Sequence, residues 1–122
     1  MLERQQARTY AEQWIAAWNA HDLNAIMKLY SPEVSFTAPT VIERWHKPDG
    51  LLVGQEALRE HFQRGLELAP NLHFELLDVL IGVDGITIVY RRETGTLVAD
   101  VVELDDEYLG EEVHAYYGST PL

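Results

Sequence analysis

The amino-acid sequence predicts an α+β fold in which three N-terminal helices pack on one face of a curved, mostly antiparallel sheet. Two observations predict it. Apolar residues recur at helical spacing through much of the chain between residues 3 and 69. From residue 72 to residue 117 the pattern changes to runs of β-branched and aromatic residues separated by glycine-containing turns, which is typical of a meander of strands.

Two helices are predicted in the first thirty residues. Residues 3–20 carry one apolar stripe that includes Trp14 and Trp18, as expected of an amphipathic helix with one buried side. Asp22 is a suitable N-cap for the second helix because its side chain can accept from an unpaired backbone N–H group. This second helix is predicted to reach Tyr30.

A short strand, a long loop and a third helix follow. The segment EVSFTAP alternates apolar and polar residues, which predicts a half-buried strand that Pro39 ends. Residues 39–54 contain two prolines and an Asp-Gly turn signal but no sustained period, so we expect a loop that packs on the core. Residues 55–69 return to helical spacing, with Phe62 on the inner side.

Composition and charge exclude several classes of function. With 122 residues, 47% of them hydrophobic, the chain is predicted to form a single domain over residues 1–122. Its net charge of −11 disfavours nucleic acid and anionic membranes as partners. Without cysteines or metal-ligand spacing among the histidines, no metal and no cofactor are expected. The absence of a signal-like segment or a membrane-length apolar run predicts a cytoplasmic protein.

One carboxylate is unexpected in the predicted meander. The run TLVADVVEL, residues 96–104, is largely apolar on both faces, yet it carries Asp100 at its centre. A buried aspartate without a partner has a raised pKa because burial disfavours its charged form. If the turn before this strand has two residues, Arg91 lies across from Val98 on the face of Asp100, which predicts an Arg91–Asp100 ion pair.

The order of elements, the segment WIAAWNAHDLNAIMKLYSPEVSFTAP and the closing HAYYG together carry a family resemblance. The chain resembles, over nearly its whole length, the SnoaL-like group of the nuclear transport factor 2, ketosteroid isomerase and polyketide cyclase superfamily. This resemblance implies a cone-shaped barrel with an apolar pocket between sheet and helices, and often a homodimer through the outer sheet face. It specifies the fold better than the activity, because members include isomerases, cyclases, epoxide hydrolases and non-catalytic transport factors.

Ketosteroid isomerases of this superfamily use a tyrosine donor, an aspartate base and a protonated aspartate. Matched to this sequence, the tyrosine position falls on Trp14, the base on Ala38 and the protonated aspartate on Asp100. Trp14 cannot act as an acid, and Ala38 cannot transfer a proton. Steroid isomerisation by that mechanism is therefore not expected, whereas Asp100 coincides with a catalytic position of the resembling family.

Three roles for Asp100 stay open. A neutral Asp100 could bind a carbonyl or enolate, or shuttle a proton in an isomerase or cyclase that needs no cofactor and acts on a small hydrophobic molecule. An ionised Asp100 held by Arg91 could orient a water, as the resemblance to epoxide hydrolases suggests, with Asp78 as the second carboxylate. Alternatively, Arg91 and Asp100 form a buried salt bridge in a non-catalytic, dimeric binding module.

The resemblance and the helical stripes also predict which residues surround a ligand. The expected pocket wall is formed by Trp14, Trp18, Tyr30, Ala38, Phe62 and Tyr117. The predicted loop contributes two more candidates, Trp45 and His46, which form a lid over the pocket mouth unless His46 is simply a surface histidine. On the outer sheet face an apolar patch is expected to favour a homodimer, and its members are Leu97, Ala99, Val101, His114 and Tyr116.

Overall fold

Within residues 2–119, which a computed structural model describes, four helices pack against a six-stranded sheet. The helices are α1 (Arg4–Asn19), α2 (Leu23–Met27), α3 (Pro39–Trp45) and α4 (Gln55–Leu68). The strands are β1 (Tyr30–Thr37), β2 (Leu51–Val53), β3 (Phe74–Ile81), β4 (Gly85–Arg92), β5 (Leu97–Leu104) and β6 (Gly110–Tyr117). The predicted α+β class is confirmed.

The strand order in the sheet is β2-β1-β6-β5-β4-β3. Every neighbouring pair is antiparallel except β1 and β6, which run parallel, so the prediction of a mostly antiparallel sheet holds. The sheet curls, but its edge strands β2 and β3 do not pair with each other within the described residues. The cone predicted for this chain is therefore an open one. Among residues 2–119, none of the helices combines the length and the hydrophobicity that a transmembrane segment requires.

Helices α1 and α2 follow their sequence signals closely at the start. Gln6 accepts a hydrogen bond from the backbone N–H of Glu3 through Oε1, which secures the first turn of α1. Asp22 caps α2 by accepting from the backbone N–H of Ala25 at 3.1 Å, as predicted. Helix α2 ends earlier than expected, because Tyr30 already pairs with Gly110 as the first residue of β1.

The predicted loop over residues 39–54 is wrong, because this segment forms helix α3 and strand β2. Pro39 occupies the first turn of α3, where its missing N–H has no cost. His46 ends the helix in a left-handed conformation with φ of 54°. Each element is too short for its periodicity to be recognised, and β2 depends on pairing with β1, which places Phe36 opposite Leu52.

The turn between β4 and β5 has three residues rather than the predicted two. The backbone N–H of Arg92 donates to the carbonyl oxygen of Thr96, and that of Gly95 donates to the carbonyl oxygen of Arg92. Gly95 has φ of 91°, the left-handed geometry that a three-residue hairpin loop with a bulge requires. Thr94-Gly95 therefore marks the position of the turn correctly, but the predicted turn is one residue too short.

This extra residue reverses the expected direction of two arginine side chains. Arg91 lies opposite Leu97 rather than Val98, so it shares the outer face of the sheet with Leu97. Because side chains alternate along a strand, a shift of one residue moves Arg91 outward and Arg92 inward. Arg92 therefore lies on the same side as Asp100.

Aromatic side chains join the helices to the inner face of the sheet. The ring of Phe74 on β3 lies 5.7 Å from Trp14 of α1 and 4.4 Å from Tyr90 of β4, measured between ring centroids. Trp18 lies 4.8 Å from Phe62 of α4 in an edge-to-face arrangement. Such pairs add stabilisation beyond the area they bury. The candidate site lies beside this cluster, between the helices and the inner face of the sheet.

We expect Gly85→Ala to destabilise the fold by at least about 2 kcal/mol, because a Cβ atom at Gly85 has no room. It would lie 2.0 Å from the carbonyl oxygen of Val102 and 2.8 Å from Cα of Glu103. Urea denaturation measures the change in the free energy of unfolding. Gly82→Ala, in the same hairpin, is the control: its Cβ would meet its nearest neighbour at 3.6 Å, so its stability should stay within about 1 kcal/mol of wild type. Equal stabilities of the two variants would contradict this close approach of strands.

Candidate functional site

A cavity of about 520 Å³ lies between the helices and the inner face of the sheet. Its volume is in the range typical of small-molecule sites. Buried aromatic side chains form its inner wall: Trp14, Trp18, Phe36, Phe62, Phe74 and Tyr90. Residues in contact with solvent form its opposite end, including Leu68, Pro70, Asn71 and Thr94, so the cavity opens there. Its ionisable and hydroxyl-bearing lining includes Thr40, Arg44, His61, Arg92, Glu93, Asp100 and Tyr117.

Asp100 lies in the middle of β5, between Ile88 of β4 and Ala115 of β6, and is only 4% exposed. Within residues 2–119 its one side-chain hydrogen bond comes from the hydroxyl of Tyr90 at 3.4 Å. Burial raises the pKa of Asp100 from 3.8 to about 7, and the Tyr90 hydrogen bond offsets part of this increase. Near neutral pH, Asp100 is therefore present in both its acid and its base form.

The predicted ion pair between Arg91 and Asp100 is wrong. Arg91 is exposed on the outer face, where its Nη1 donates to the carbonyl oxygen of Gly95 at 3.0 Å. In the described part of the chain, no basic side chain lies within 4 Å of the Asp100 carboxylate. The physical reason is the three-residue turn, which places Arg91 on the opposite face of the sheet from Asp100.

The second carboxylate expected for epoxide hydrolysis does not lie in the cavity. Asp78 is exposed, pairs with Val89 on the outer face, and its Oδ1 accepts from the backbone N–H of Val79. Among residues 2–119, Glu93 is the other carboxylate in the cavity lining, and it is bound by Arg92 at 3.1 Å. No group of three or more His, Asp or Glu side chains in these residues could hold a metal ion.

The cavity brings together some of the predicted site residues and leaves out others. Four predicted wall residues line it together with Asp100: Trp14, Trp18, Phe62 and Tyr117. Tyr30 and Ala38 are buried next to it but do not line it. His46 is exposed at the end of α3, and neither it nor Trp45, the other expected lid residue, lines the cavity, so these two side chains do not cover it in this structure.

The indole of Trp14, matched above to the tyrosine donor of ketosteroid isomerases, is not available to a ligand. Its Nε1–H donates to the hydroxyl of Tyr30 at 2.8 Å. Tyr30 is itself completely enclosed, and burial raises its pKa well above 10. Trp14 can therefore contribute an apolar surface to the cavity but no hydrogen bond, because an indole has a single donor.

A hydrogen-bonded chain that the sequence did not predict leads into the cavity. Trp45 donates from Nε1 to Nδ1 of His61 at 3.0 Å, so a neutral His61 carries its proton on Nε2. Nε2 lies 3.3 Å from Oγ1 of Thr40, which in turn lies 3.5 Å from the hydroxyl of Tyr117. Burial and the charge of Arg44 lower the pKa of His61 to about 4, so the ring is neutral at pH 7. His61 therefore donates to Thr40, and Thr40 donates to the hydroxyl of Tyr117. The proton of the Tyr117 hydroxyl is then available to a ligand.

The sequence does not identify Thr40, Arg44 and His61 as site residues, because Thr40 and Arg44 lie on α3 and bind His61 of α4 only once that short helix has formed. Thr40 and Arg44 are one helical turn apart and face the same side of α3, towards α4. A segment predicted to be a loop has no period from which the direction of its side chains could be inferred. The spacing of Thr40 and Arg44 was the available signal, but seven residues are too few to distinguish it from coincidence.

Residues 11–115 match the SnoaL-like domain family. No curated protein matches the sequence. The chain is similar to a SnoaL-like protein of unknown function from Burkholderia thailandensis, with 32% identity over 96% of this chain and 98% of that one and a TM-score of 0.92.

Two more distant structures share the fold. One is an isomerase candidate of the SnoaL-like family from Agrobacterium tumefaciens, with 18% identity, a TM-score of 0.74, and coverage of 94% of this chain and 99% of that one. The other is a ketosteroid isomerase candidate from Kribbella flavida, with 13% identity, a TM-score of 0.75, and coverage of 97% and 82%. At these identities the likeness concerns the fold alone.

The raised pKa of Asp100 predicts how stability depends on pH. Between about pH 4 and pH 7 the unfolded chain ionises this carboxyl while the folded protein keeps it protonated, so stability falls as pH rises. Asp100→Asn removes this loss of stability. Between pH 5 and pH 8 we therefore expect the free energy of unfolding of the variant to rise by about 2–3 kcal/mol relative to that of wild type. Urea denaturation across this range tests it. Asp78→Asn removes an exposed carboxylate and should keep the wild-type pH dependence; parallel curves for wild type and Asp100→Asn would contradict the raised pKa.

Proposed function

The chain belongs to the SnoaL-like domain family, and on this basis we propose that it is an enzyme that transfers a proton within a small hydrophobic carbonyl compound. Asp100 is the acid–base group of this proposal. The observation that carries it is a carboxyl buried at the aromatic inner wall of an open cavity, with a pKa raised by burial to about 7. A pKa close to the working pH lets one group both remove and return a proton.

The proposed reaction begins with ionised Asp100 and the carbon next to the ligand carbonyl. The carboxylate takes a proton from this carbon, and the electron pair of the C–H bond moves into the carbonyl to give an enolate. Tyr117 donates a hydrogen bond to the enolate oxygen, as its place at the end of the Thr40 and His61 chain allows. Where a C=C double bond lies next to this carbon, the enolate is conjugated with it, and protonated Asp100 returns the proton to the far carbon of that double bond, which completes an isomerisation. In a ketone without such a double bond the proton returns to the original carbon, which gives exchange with solvent.

The aromatic wall supports this chemistry by excluding water. Trp18, Phe36 and Phe62 offer apolar surface on the helix side and on β1, and a ligand that covers it gains roughly 25 cal/mol per Å² of apolar surface buried. With water excluded, hydrogen bonds to a developing enolate are stronger than in solution. A small hydrophobic molecule is therefore the partner that this cavity fits.

A non-catalytic binding module is the alternative from a different class. It would be favoured by a cavity filled with the protein's own side chains and by an Asp100 neutralised by Arg91. The cavity is open, and Arg91 lies on the other face of the sheet. Both observations favour the enzyme. Hydrolysis of an epoxide is less well supported, since Asp78 faces away from the cavity.

We also propose that two copies of the chain associate through the outer face of the sheet. Leu97 and Tyr116 on this face are 41% and 63% exposed, and Ala99 lies directly opposite Tyr116. Across the next row, Val101 lies opposite His114. This patch is uncharged apart from any charge on His114, and the neighbouring row is acidic, with Glu103 opposite Glu112. An uncharged patch bounded by charge is typical of an interface.

We expect Asp100→Asn to reduce proton transfer at least about a hundredfold while the variant stays folded, because an amide cannot act as a base. Proton NMR in D2O measures the exchange of protons next to the carbonyl of propiophenone, tetralone and cyclohexenone. The wild-type exchange rate should rise with pH and level off above about pH 7, as Asp100 ionises. Asp78→Asn is the matched control and should keep wild-type exchange. Equal exchange by wild type and Asp100→Asn, or binding of these ketones without exchange, would favour the binding module.

Tyr116→Glu should dissociate the proposed dimer, because each copy would place a charge in the apolar patch. Size-exclusion chromatography with light scattering measures the mass. Val83→Glu is the control, since Val83 is 75% exposed in the turn between β3 and β4 and lies outside the patch. A wild-type protein that is monomeric, or a Tyr116→Glu variant that keeps the dimer mass, would rule out this interface.

A further inference from the structure

Two arginine side chains line the cavity where it opens to solvent. Arg44 comes from α3 and Arg92 from the end of β4, and both are half-buried, between the enclosed aromatic wall and the exposed rim. Burial and the nearby positive charge of Arg92 lower the pKa of Arg44. Two guanidinium groups that repel each other at an apolar cavity are unusual in a chain that has nine Lys and Arg against twenty Asp and Glu.

Arg44 is held in place by the backbone rather than by an opposite charge. Its Nη1 donates to the carbonyl oxygen of His61 at 3.1 Å, and within residues 2–119 no carboxylate lies within 4 Å of it. Gly65 of α4 provides the space: a Cβ atom there would lie 3.1 Å from Nη1 of Arg44. A glycine inside a helix destabilises it by about 1 kcal/mol relative to alanine, so the space for Arg44 lowers the stability of α4.

Arg92 is only partly paired. Its Nη2 donates to Oε2 of Glu93 at 3.1 Å, and its guanidinium lies 5.8 Å from the centre of the Phe74 ring. Its Nε–H is shielded from solvent and has no partner among the described residues. A buried donor without an acceptor is costly, and a ligand oxygen is the kind of group that would satisfy it.

The charges in the cavity lining favour a ligand with one negative charge. Glu93 balances Arg92, which leaves the charge of Arg44 without a counterpart whenever Asp100 is protonated. Tyr117 connects the two regions, since its hydroxyl is close enough to Arg44, Arg92 and Asp100 for each charge to affect its pKa. A ligand that reaches from Asp100 past Tyr117 therefore extends towards the arginines.

We propose that the ligand of this cavity is a hydrophobic carboxylic acid, whose carboxylate binds between Arg44 and Arg92 while its apolar body lies against Trp18 and Phe62. A carboxylate has two oxygens in one plane and can accept from both guanidinium groups at once. This inference deepens the proposed function and rests on it only in taking the cavity as the ligand site. The reacting carbonyl would then lie at the inner end, near Asp100.

Matched pairs of an acid and its uncharged primary amide test this on the wild-type protein. The pairs are benzoylpropionate, naphthoylpropionate and decanoate, each beside its amide, and isothermal titration calorimetry measures binding at low and high salt. We expect the carboxylate of at least one pair to bind about tenfold or more tightly than its amide, with the difference shrinking at high salt. If no carboxylate in the series binds more tightly than its amide, the proposal is overturned.

Arg44→Gln should weaken binding of the carboxylate about tenfold and leave the amide unchanged, so that the preference disappears. Arg64→Gln is the matched control: it removes one positive charge from the exposed side of α4, where Arg64 pairs with Glu67, and should keep the preference. Thermal unfolding verifies that both variants are folded. Equal weakening of acid and amide by Arg44→Gln would instead indicate a packing role and contradict the proposal.

Asp100→Asn separates this inference from the proposed function. If the variant loses exchange of the protons next to the ketone of benzoylpropionate but keeps the preference for the carboxylate, both proposals stand. A wild-type protein that prefers the carboxylate but shows no exchange would support the acid-binding site and reject the proton transfer. Exchange without any preference for the carboxylate would support the proton transfer and reject the acid-binding site.

Discussion

The pairing of β4 with β5 is the constraint on which the site depends. With Ile88 opposite Asp100 and Tyr90 opposite Val98, the carboxyl of Asp100 lies on the inner face with the hydroxyl of Tyr90 as its partner. The same register sends Arg91 outward and Arg92 inward. Because side chains alternate along a strand, one residue fewer in the turn would place Arg91, instead of Arg92, on the face of the sheet that carries Asp100.

The absence of a cation beside Asp100, within the described residues, has an energetic meaning. Raising the pKa of this carboxyl from 3.8 to about 7 costs roughly 4 kcal/mol once it is ionised. Proteins of this size have a total stability of about 5–15 kcal/mol. The fold tolerates this cost although two arginines lie in the same cavity lining. Strongly perturbed carboxyls in clefts are candidates for function, and the distribution of charge around Asp100 fits that interpretation.

The short helix α3 contributes more polar lining to the cavity than its length suggests. It supplies Thr40 and Arg44, and its last residue, Trp45, orients the ring of His61. His61 therefore acts as a neutral link between Trp45 and Thr40 rather than as an acid or a base. Polar groups that satisfy one another in this way direct the remaining donor, the Tyr117 hydroxyl, towards the cavity. The aromatic wall comes from other elements, so α3 provides much of the polarity of the site.

What the sequence by itself determined is the class of fold and the location of its buried carboxyl. In a long element with a clear period, such as α1 with Trp14 and Trp18, the sequence pattern indicates which side is buried. The apolar run around Asp100 likewise indicates that this carboxyl is buried. The tertiary structure decided which groups surround it. The β4–β5 turn has one residue more than its sequence signal predicts, and α3 is too short for its periodicity to be recognised. Arg44 lines the cavity because α3 packs beside Gly65. Register, short elements and contacts between distant segments depend on packing of the whole chain, and local patterns carry little information about them.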